Sequence, residues 1–166
     1  MKTAVIYWSG TGNTEAMARA VAEGMTAAGA EAVLLTPAEV ASDDLNAYAA
    51  IAFGCPAMGA EVLEEMEFQP MYDACKRSLG GKRVALFGCG DSASYPDSFC
   101  DALAEIRDGL EATGCTFVGA LDAAEYDGCT SRICRDGKVI GLAVDDGASE
   151  AVSDARMEKW ITAVGF

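Results

Sequence analysis

Short apolar segments alternate with segments of helical periodicity along most of the chain, and this alternation restricts the fold more than any other feature. Apolar runs without polar alternation predict strands that are buried on both faces. Helices between such strands predict a parallel sheet that is covered on both sides. We therefore predict an α/β protein, a three-layer doubly wound five-stranded parallel sheet of order 2-1-3-4-5. The predicted strands are residues 4–8, 31–35, 48–54, 83–87 and 115–118, and the predicted helices begin at Glu15 and Ser42 or span 68–79, 96–113 and 149–164.

A polar stretch at about 119–138 interrupts this alternation. It contains Cys129 and Cys134 and is followed by a strand-like segment at 139–144. We interpret it as an insertion that splits the fifth strand. The length of 166 residues predicts a single domain, 1–166, that includes the insertion.

The loop between the first strand and the first helix is rich in glycine and hydroxyl groups. Gly10 and Gly12 are expected to take positive φ and to let the backbone approach a ligand. The amino end of a helix favours an anion through its unpaired N–H groups and its dipole. No Lys or Arg occurs between Lys2 and Arg19, so neutral donors would hold a phosphate here. The candidate phosphate-binding residues are Ser9, Gly10, Thr11, Gly12, Asn13 and Thr14.

Two other known phosphate-binding loops can be compared with this sequence. The Walker loop requires a Gly-Lys-Ser/Thr sequence, and the segment has no such lysine. The dinucleotide pattern Gly-x-Gly-x-x-Gly would require a glycine where Glu15 stands. A capped strand–turn–helix junction without a ligand remains the alternative.

Composition limits the chemistry and the partners of the chain. It has no histidine, which excludes a Ser-His or Cys-His nucleophile pair. The net charge of −14 disfavours nucleic acid and anionic membranes, and it favours a partner with a basic face. No apolar run approaches the ~20 residues that span a bilayer. Because the first residues also lack the signal-peptide pattern, we expect a cytoplasmic protein.

The seven cysteines are scattered, and no Cys-x-x-Cys pair occurs among them. This spacing does not match zinc or iron–sulfur ligation, and no metal site is expected. We expect free thiols in a reducing compartment. Pairing of Cys129 with Cys134 under oxidising conditions is the alternative.

Two further loops should meet the glycine loop at one edge of the sheet. Residues 54–61 follow the third predicted strand, and residues 88–95 follow the fourth. Ligands of doubly wound sheets lie at the carboxyl ends of the strands, near the point where the strand order reverses. The sequence thus predicts a ligand site built from three loops of small residues.

Together these three loops resemble those of the flavodoxins, and the resemblance covers essentially the whole chain. Residues 9–14 resemble the flavodoxin phosphate loop, and residues 55–61 resemble the inner flavin loop of clostridial-type members. Residues 90–95, with Asp97 and Phe99, resemble the outer flavin loop of long-chain members, and 119–144 resembles the long-chain insertion. The resemblance implies non-covalently bound FMN as the cofactor. Beyond the phosphate loop, the implied cofactor-binding residues are Pro56, Ala57, Met58, Gly59, Ala60, Glu61, Cys89, Gly90, Asp91, Tyr95, Asp97 and Phe99.

The resemblance also implies individual roles for these residues. Met58 would lie against one face of the flavin ring, and Tyr95 would stack on the other. Glu61 would accept a hydrogen bond from the N3 edge, and Cys89, Gly90 and Asp91 would line the pyrimidine edge. Without the resemblance, Met58 could be a core residue, Tyr95 a capping aromatic, and Glu61 part of a solvated acidic run.

The implied function is that of a low-potential one-electron carrier that shuttles electrons between redox proteins and is not an enzyme. The expected partners are reductases and low-potential oxidoreductases with a basic docking face, and the carrier is expected to be a monomer. An FMN quinone or NAD(P)H reductase on the same fold is one alternative, but it would need room for a second substrate. A flavin-free response-regulator-like module is another, but it would need a cluster of acids after the first strand, where Trp8, Ser9 and Gly10 stand.

Overall fold

The computed structural model describes residues 1–40, 44–56 and 63–165. Strands and helices alternate through the described chain, as the apolar pattern predicts. The strands are β1 (Lys2–Tyr7), β2 (Glu31–Leu35), β3 (Ala50–Gly54), β4 (Arg83–Gly90), β5 (Thr116–Phe117), β6 (Leu121–Asp122), β7 (Cys134–Arg135), β8 (Lys138–Val139) and β9 (Leu142–Asp145). The α-helices are α1 (Asn13–Ala27), α2 (Phe68–Cys75), α3 (Asp101–Leu110) and α4 (Glu150–Val164).

The main sheet is parallel and has the order β2-β1-β3-β4-β5. The first two residues of β4 pair with β5, and its last four residues pair with β9. The two short strands therefore lie end to end along one side of β4. This arrangement confirms the predicted strand order and the splitting of the fifth strand by the insertion.

Aromatic side chains show how the helices cover the two faces of the sheet. Phe53 of β3 makes edge contacts with Phe68 and Tyr72 of α2. The Tyr72 hydroxyl donates to the carbonyl of Ile106, so α2 and α3 cover the same face. On the opposite face, Phe87 of β4 packs edge-on against Trp160 of α4. Helices α1 and α4 lie together there, and the core fills both layers.

Several boundaries differ from the predictions for local reasons. The helix predicted over 96–113 begins only at Asp101, because Cys100 before it has a φ of 55° and cannot continue a right-handed helix. Strand β4 runs to Gly90 because β9 pairs with its end. Strand β1 ends at Tyr7, so Trp8 belongs to the loop. The helix start predicted at Ser42 lies outside the described residues.

The insertion forms a small antiparallel sheet in the order β6-β8-β7. A disulfide joins Cys129 to Cys134 within it. The expectation of free thiols is therefore wrong for these two cysteines, and the alternative, their pairing with each other, is the arrangement in the structure. The free cysteines are Cys55, Cys75, Cys89, Cys100 and Cys115. Within the described ranges, no helix is long and apolar enough to cross a bilayer.

Candidate functional site

A cavity of about 400 Å³ opens at the carboxyl edge of the sheet, within the size range of small-molecule sites. It lies between the loops that follow β1, β3 and β4, where the sequence predicts a ligand. Most of the predicted site residues that the structure describes meet there. Those that line the cavity are Gly10, Thr11, Asn13, Thr14, Pro56, Cys89, Gly90, Asp91, Tyr95 and Phe99.

The loop after β1 provides the polar floor of the cavity. Gly12 caps α1 with a φ of 94° and no side-chain hydrogen bond, so the first N–H groups of the helix point out of its end. The Ser9 hydroxyl accepts a hydrogen bond from the Gly12 N–H at 2.9 Å and holds the turn. The prediction of positive φ is confirmed for Gly12 but wrong for Gly10. Gly10 is needed for space, because a Cβ there would come within 2.9 Å of the Trp8 ring.

The loop after β4 forms the opposite wall and is organised by Asp91. The Asp91 carboxylate accepts hydrogen bonds from the N–H groups of Ala93 and Ser94, each at 3.1 Å. Hydrogen bonds from Ser94 are the main cause of the lowered pKa of Asp91, which favours its ionised form. The backbone carbonyl of Asp91 accepts from the Tyr95 N–H at 3.0 Å. This turn leaves the Tyr95 ring 63% exposed at the mouth of the cavity.

Cys89 joins the two walls. Its sulfur lies 3.6 Å from the Thr14 hydroxyl oxygen, so the end of β4 contacts the first turn of α1. Burial raises the pKa of the Cys89 thiol, which therefore stays protonated and neutral. Cys89 therefore presents a neutral thiol, which can take part in hydrogen bonds, to the cavity.

Three of the predicted residues that the structure describes, Ser9, Gly12 and Asp97, are not among those that line the cavity. Asp97 faces the insertion, where its carboxylate accepts from the Thr130 hydroxyl at 2.9 Å. Ser9 and Gly12 hold the shape of the phosphate loop from behind. The predicted inner-loop residues Ala57, Met58, Gly59, Ala60 and Glu61 lie outside the described residues.

The structure adds lining residues that the sequence analysis missed: Trp8, Ser98, Cys100 and Asp146. The sequence predicts Trp8 as the last residue of the first strand, but it lies in the loop after β1, and its indole N–H donates to the Glu67 carboxylate at 2.7 Å. Asp146 follows β9, and its N–H donates to the Gly90 carbonyl at 2.9 Å. The rule that ligands meet strand ends would have found Asp146, had it been applied to the second half of the split strand.

Glu64 is buried, although its acidic neighbours in sequence suggest a solvated face. Its carboxylate accepts hydrogen bonds from the N–H groups of Met66, Glu67 and Phe68, each at 2.8 Å. Burial raises the pKa of Glu64, but these three hydrogen bonds together lower it below its usual value. Glu64 therefore serves as an anionic cap for the start of α2.

We expect Glu64→Gln to lower the free energy of unfolding by about 1–3 kcal/mol at pH 7, because buried N–H groups lose an ionised acceptor. Since the folded pKa is depressed, this stabilisation is complete above the pKa of the unfolded chain, roughly 4.3. It is lost as pH falls through the folded pKa, so wild type and variant should converge in acid. Urea unfolding between pH 7 and 3 measures this convergence. The exposed neighbour variant Glu65→Gln is the control and should change stability by less than about 0.5 kcal/mol.

The fold and the cavity define a class: an α/β protein with a ligand-sized cavity at the carboxyl edge of a doubly wound sheet, beside the amino end of a helix. The sequence model described as Flavodoxin matches residues 5–160. Flavodoxin 1 of Escherichia coli strain K12 is 34% identical over 162 residues, which cover 96% of this chain and 90% of that protein. The flavodoxin of Synechocystis sp. is 30% identical over 168 residues, which cover 98% of this chain and 95% of that protein. The chain belongs to the flavodoxin family, as the resemblance predicts.

Solved structures agree on the fold. The crystal structure of Fusobacterium nucleatum flavodoxin bound to flavin mononucleotide aligns with a TM-score of 0.82 and 19% identity. The alignment covers 97% of this chain and 95% of that one. The predicted class, an electron-transfer flavoprotein with FMN as its cofactor and without enzyme activity, is confirmed at the level of the family.

The described residues fit FMN in three respects. The end of α1 offers free N–H groups and hydroxyl side chains to a phosphate. No Lys or Arg is among the cavity-lining residues of the described ranges, so the donors there are neutral, as the sequence predicts. The cavity walls include Trp8, Tyr95 and Phe99, which suit an aromatic ring.

Proposed function

We propose that the protein is a low-potential one-electron carrier that holds FMN in this cavity and passes electrons between redox proteins. FMN supplies the redox chemistry when it is bound. The chain binds the cofactor, excludes water from it and sets the electrostatic environment. The cavity at the end of α1, with its neutral donor set, is the observation that supports this proposal.

Each wall of the cavity has its own part in this proposal. Ser9, Gly10, Thr11, Gly12, Asn13 and Thr14 bind the phosphate. The inner flavin loop consists of Pro56, Ala57, Met58, Gly59, Ala60 and Glu61. The outer flavin loop consists of Cys89, Gly90, Asp91, Tyr95, Asp97 and Phe99. Trp8, Ser98, Cys100 and Asp146 join them as lining residues.

The charges near the cavity support a low potential. Asp91 and Asp146 are the charged residues among the described lining, and both are acidic. A carboxylate opposes the addition of further negative charge nearby, by about 1 kcal/mol at 4 Å in water and more where water is excluded. Reduction of a bound flavin is disfavoured in such surroundings.

A titration tests the proposal directly. Apoprotein is mixed with FMN, and the flavin fluorescence and visible spectrum are followed. Binding at one equivalent with quenched fluorescence supports the proposal, whereas unquenched fluorescence at high protein concentration contradicts it. Reduction of the bound flavin by NADPH alone, without a reductase, would instead favour the reductase alternative.

We further infer a cytoplasmic monomer whose partners dock through a basic face. Glu67 accepts a hydrogen bond from the cavity-lining Trp8, and Asp146 lines the cavity itself. Met66, which lies between Glu65 and Glu67 in the sequence, is 83% exposed. An exposed apolar side chain inside an acidic rim suits a small, transient contact with a basic surface. The net charge of −14 supports the same kind of partner.

We expect the rate of electron transfer from a reductase with a basic docking face to fall at least about tenfold between low and high salt. Salt screens the attraction between the two proteins and so reduces the range of electrostatic steering. Neutralising Glu65, Glu67 and Asp146 to their amides should reduce both the low-salt rate and the salt dependence. Stopped-flow mixing measures the rate. The control neutralises Glu31, Glu111 and Glu158, which changes net charge equally away from the cavity. Equal loss in both triple variants would mean that net charge alone acts.

A further inference from the structure

The disulfide between Cys129 and Cys134 closes a short loop, residues 129–134, which we call the disulfide loop. It belongs to the insertion, yet it lies against the segment 96–101, which follows Tyr95. That segment provides part of the outer wall of the cavity through Ser98, Phe99 and Cys100. The insertion is therefore in direct contact with the proposed cofactor site.

Consecutive residues of the disulfide loop bind consecutive parts of this wall. The Thr130 hydroxyl donates to the Asp97 carboxylate at 2.9 Å and to the Pro96 carbonyl at 3.3 Å. The buried Ser131 hydroxyl donates to the Phe99 carbonyl at 2.7 Å. Two of these bonds are accepted by backbone carbonyls of the wall and one by a side chain, so together they hold this segment to the insertion.

The next residue of the loop continues the pattern on α3. The Arg132 N–H donates to the Asp101 carboxylate at 2.9 Å, at the first turn of the helix. The Arg132 guanidinium pairs with Glu105 and Asp108 further along the same helix. The disulfide loop therefore contacts the chain between Pro96 and Asp108, which includes part of the outer wall and most of α3.

The wall needs such support because it lacks regular structure of its own. Cys100 has a φ of 55°, a region that non-glycine residues seldom occupy and that surrounding contacts must maintain. The described local backbone bonds are the Ser98 N–H to Tyr95, at 3.4 Å, and the Asp101 N–H to Ser98, at 3.1 Å. Contacts from the insertion add to these isolated turns.

We infer that the disulfide loop is a positioning element for the outer wall and that the redox state of Cys129 and Cys134 sets the FMN affinity of the cavity. This inference rests on the proposed function. Cys134 is anchored in β7, which pairs with β8, whereas the Cys129 N–H makes only a 3.5 Å bond to Tyr126. The disulfide is therefore the covalent link that holds the Thr130 side of the loop to the small sheet.

Both cysteines are partly exposed, so a small dithiol can reach the bond. One thiolate of the dithiol attacks a sulfur of the disulfide and forms a mixed disulfide. The second thiolate of the reagent then displaces the remaining protein sulfur. Two electrons and two protons pass to Cys129 and Cys134, and the dithiol leaves as a cyclic disulfide. The products are two protein thiols and a loop that is no longer closed.

The test compares FMN dissociation constants of wild-type protein before and after reduction by dithiothreitol, measured by fluorescence quenching after the reagent is removed anaerobically. We expect reduction to weaken FMN binding at least about fivefold, which corresponds to about 1 kcal/mol. The variant Cys129→Ser/Cys134→Ser should bind as weakly as the reduced protein and should not respond to dithiothreitol. Faster amide exchange at Tyr95 and at 97–100 in the reduced protein is expected as a readout independent of FMN.

Matched variants separate this role from general effects of cysteine replacement. Cys115→Ser lies outside the loop and should respond to reduction as wild type does. Thr130→Val keeps the disulfide but removes the hydroxyl, and it should weaken FMN binding, whereas Thr130→Ser should restore it. Equal affinities of the oxidised and reduced proteins would overturn the inference while leaving the proposed function intact. Absence of FMN binding in both states would overturn the proposed function, and this inference with it.

Discussion

Thr11→Asp is expected to weaken FMN binding about 100-fold, because a carboxylate would face the phosphate at the end of α1. The Thr11 side chain is exposed and lines the cavity, so the new charge would lie in the anion site itself. Two like unit charges 4 Å apart repel each other by about 1 kcal/mol in water and about 4 kcal/mol near a protein surface. A phosphate that carries two negative charges roughly doubles this repulsion. A carboxylate would also bind the helix N–H groups that the phosphate needs.

The design of this experiment separates binding from folding. An acidic side chain near the amino end of a helix favours the helix, so the apoprotein should stay as stable as wild type. Thr26→Asp is the matched control, since it makes the same substitution near the other end of α1, roughly 20 Å away. Fluorescence titration gives the dissociation constants, and thermal unfolding without FMN gives the stabilities. If both variants bind FMN equally well, the phosphate does not lie at the end of α1.

The sheet could be predicted because its signal is local. The continuous apolar runs of β1 and β3 and the glycines after them are visible in any window of the sequence, and their burial is complete or nearly so. The order of strands follows from general rules of doubly wound sheets. The loops at the strand ends follow from the order, which is why most of the cavity residues could be named.

The features that were missed depend on specific contacts, some between distant segments and some within five residues of the chain. Phe99 falls within the helix predicted over 96–113, but it lies before α3, and its carbonyl accepts a hydrogen bond from Ser131 of the insertion. Glu64 resembles its exposed acidic neighbours in sequence, and only the fold turns its carboxylate to the start of α2. The pairing of Cys129 with Cys134 was only an alternative in the sequence, because their spacing allows the disulfide but does not require it. The periodicity of apolar residues in a sequence does not show which of these groups contact each other.

Trp160 also shows the limit of a pattern read from one helix. The helix predicted over 149–164 contains the apolar residues Val152, Met157, Trp160 and Ile161, and the structure buries them to different extents. Trp160 is fully buried, whereas Val152 is 43% exposed. The face that contacts the sheet is therefore centred near the end of the helix. Trp160 meets Phe87 there, with ring centroids 6.2 Å apart.

Trp160→Ala is expected to lower the free energy of unfolding of the apoprotein by about 3–5 kcal/mol, since a buried indole leaves a large cavity. The corresponding fall in melting temperature is about 6–20 °C for a chain of this size. Trp160→Phe should cost much less, because it keeps an aromatic ring and removes an indole N–H that has no hydrogen-bond partner in the described structure. Urea unfolding followed by circular dichroism, without FMN, measures both variants.

Trp8→Ala is the matched control, because Trp8 is the other tryptophan of the chain and is only partly buried. Its loss should change apoprotein stability by less than about 1 kcal/mol, in the range of surface substitutions. It should weaken FMN binding, since its ring lines the cavity and packs against Gly10. Trp160→Ala should have the opposite profile, with a large loss of stability and near-normal FMN affinity in the folded fraction. If the two variants lose stability equally, the core is not centred on the contact between α4 and β4.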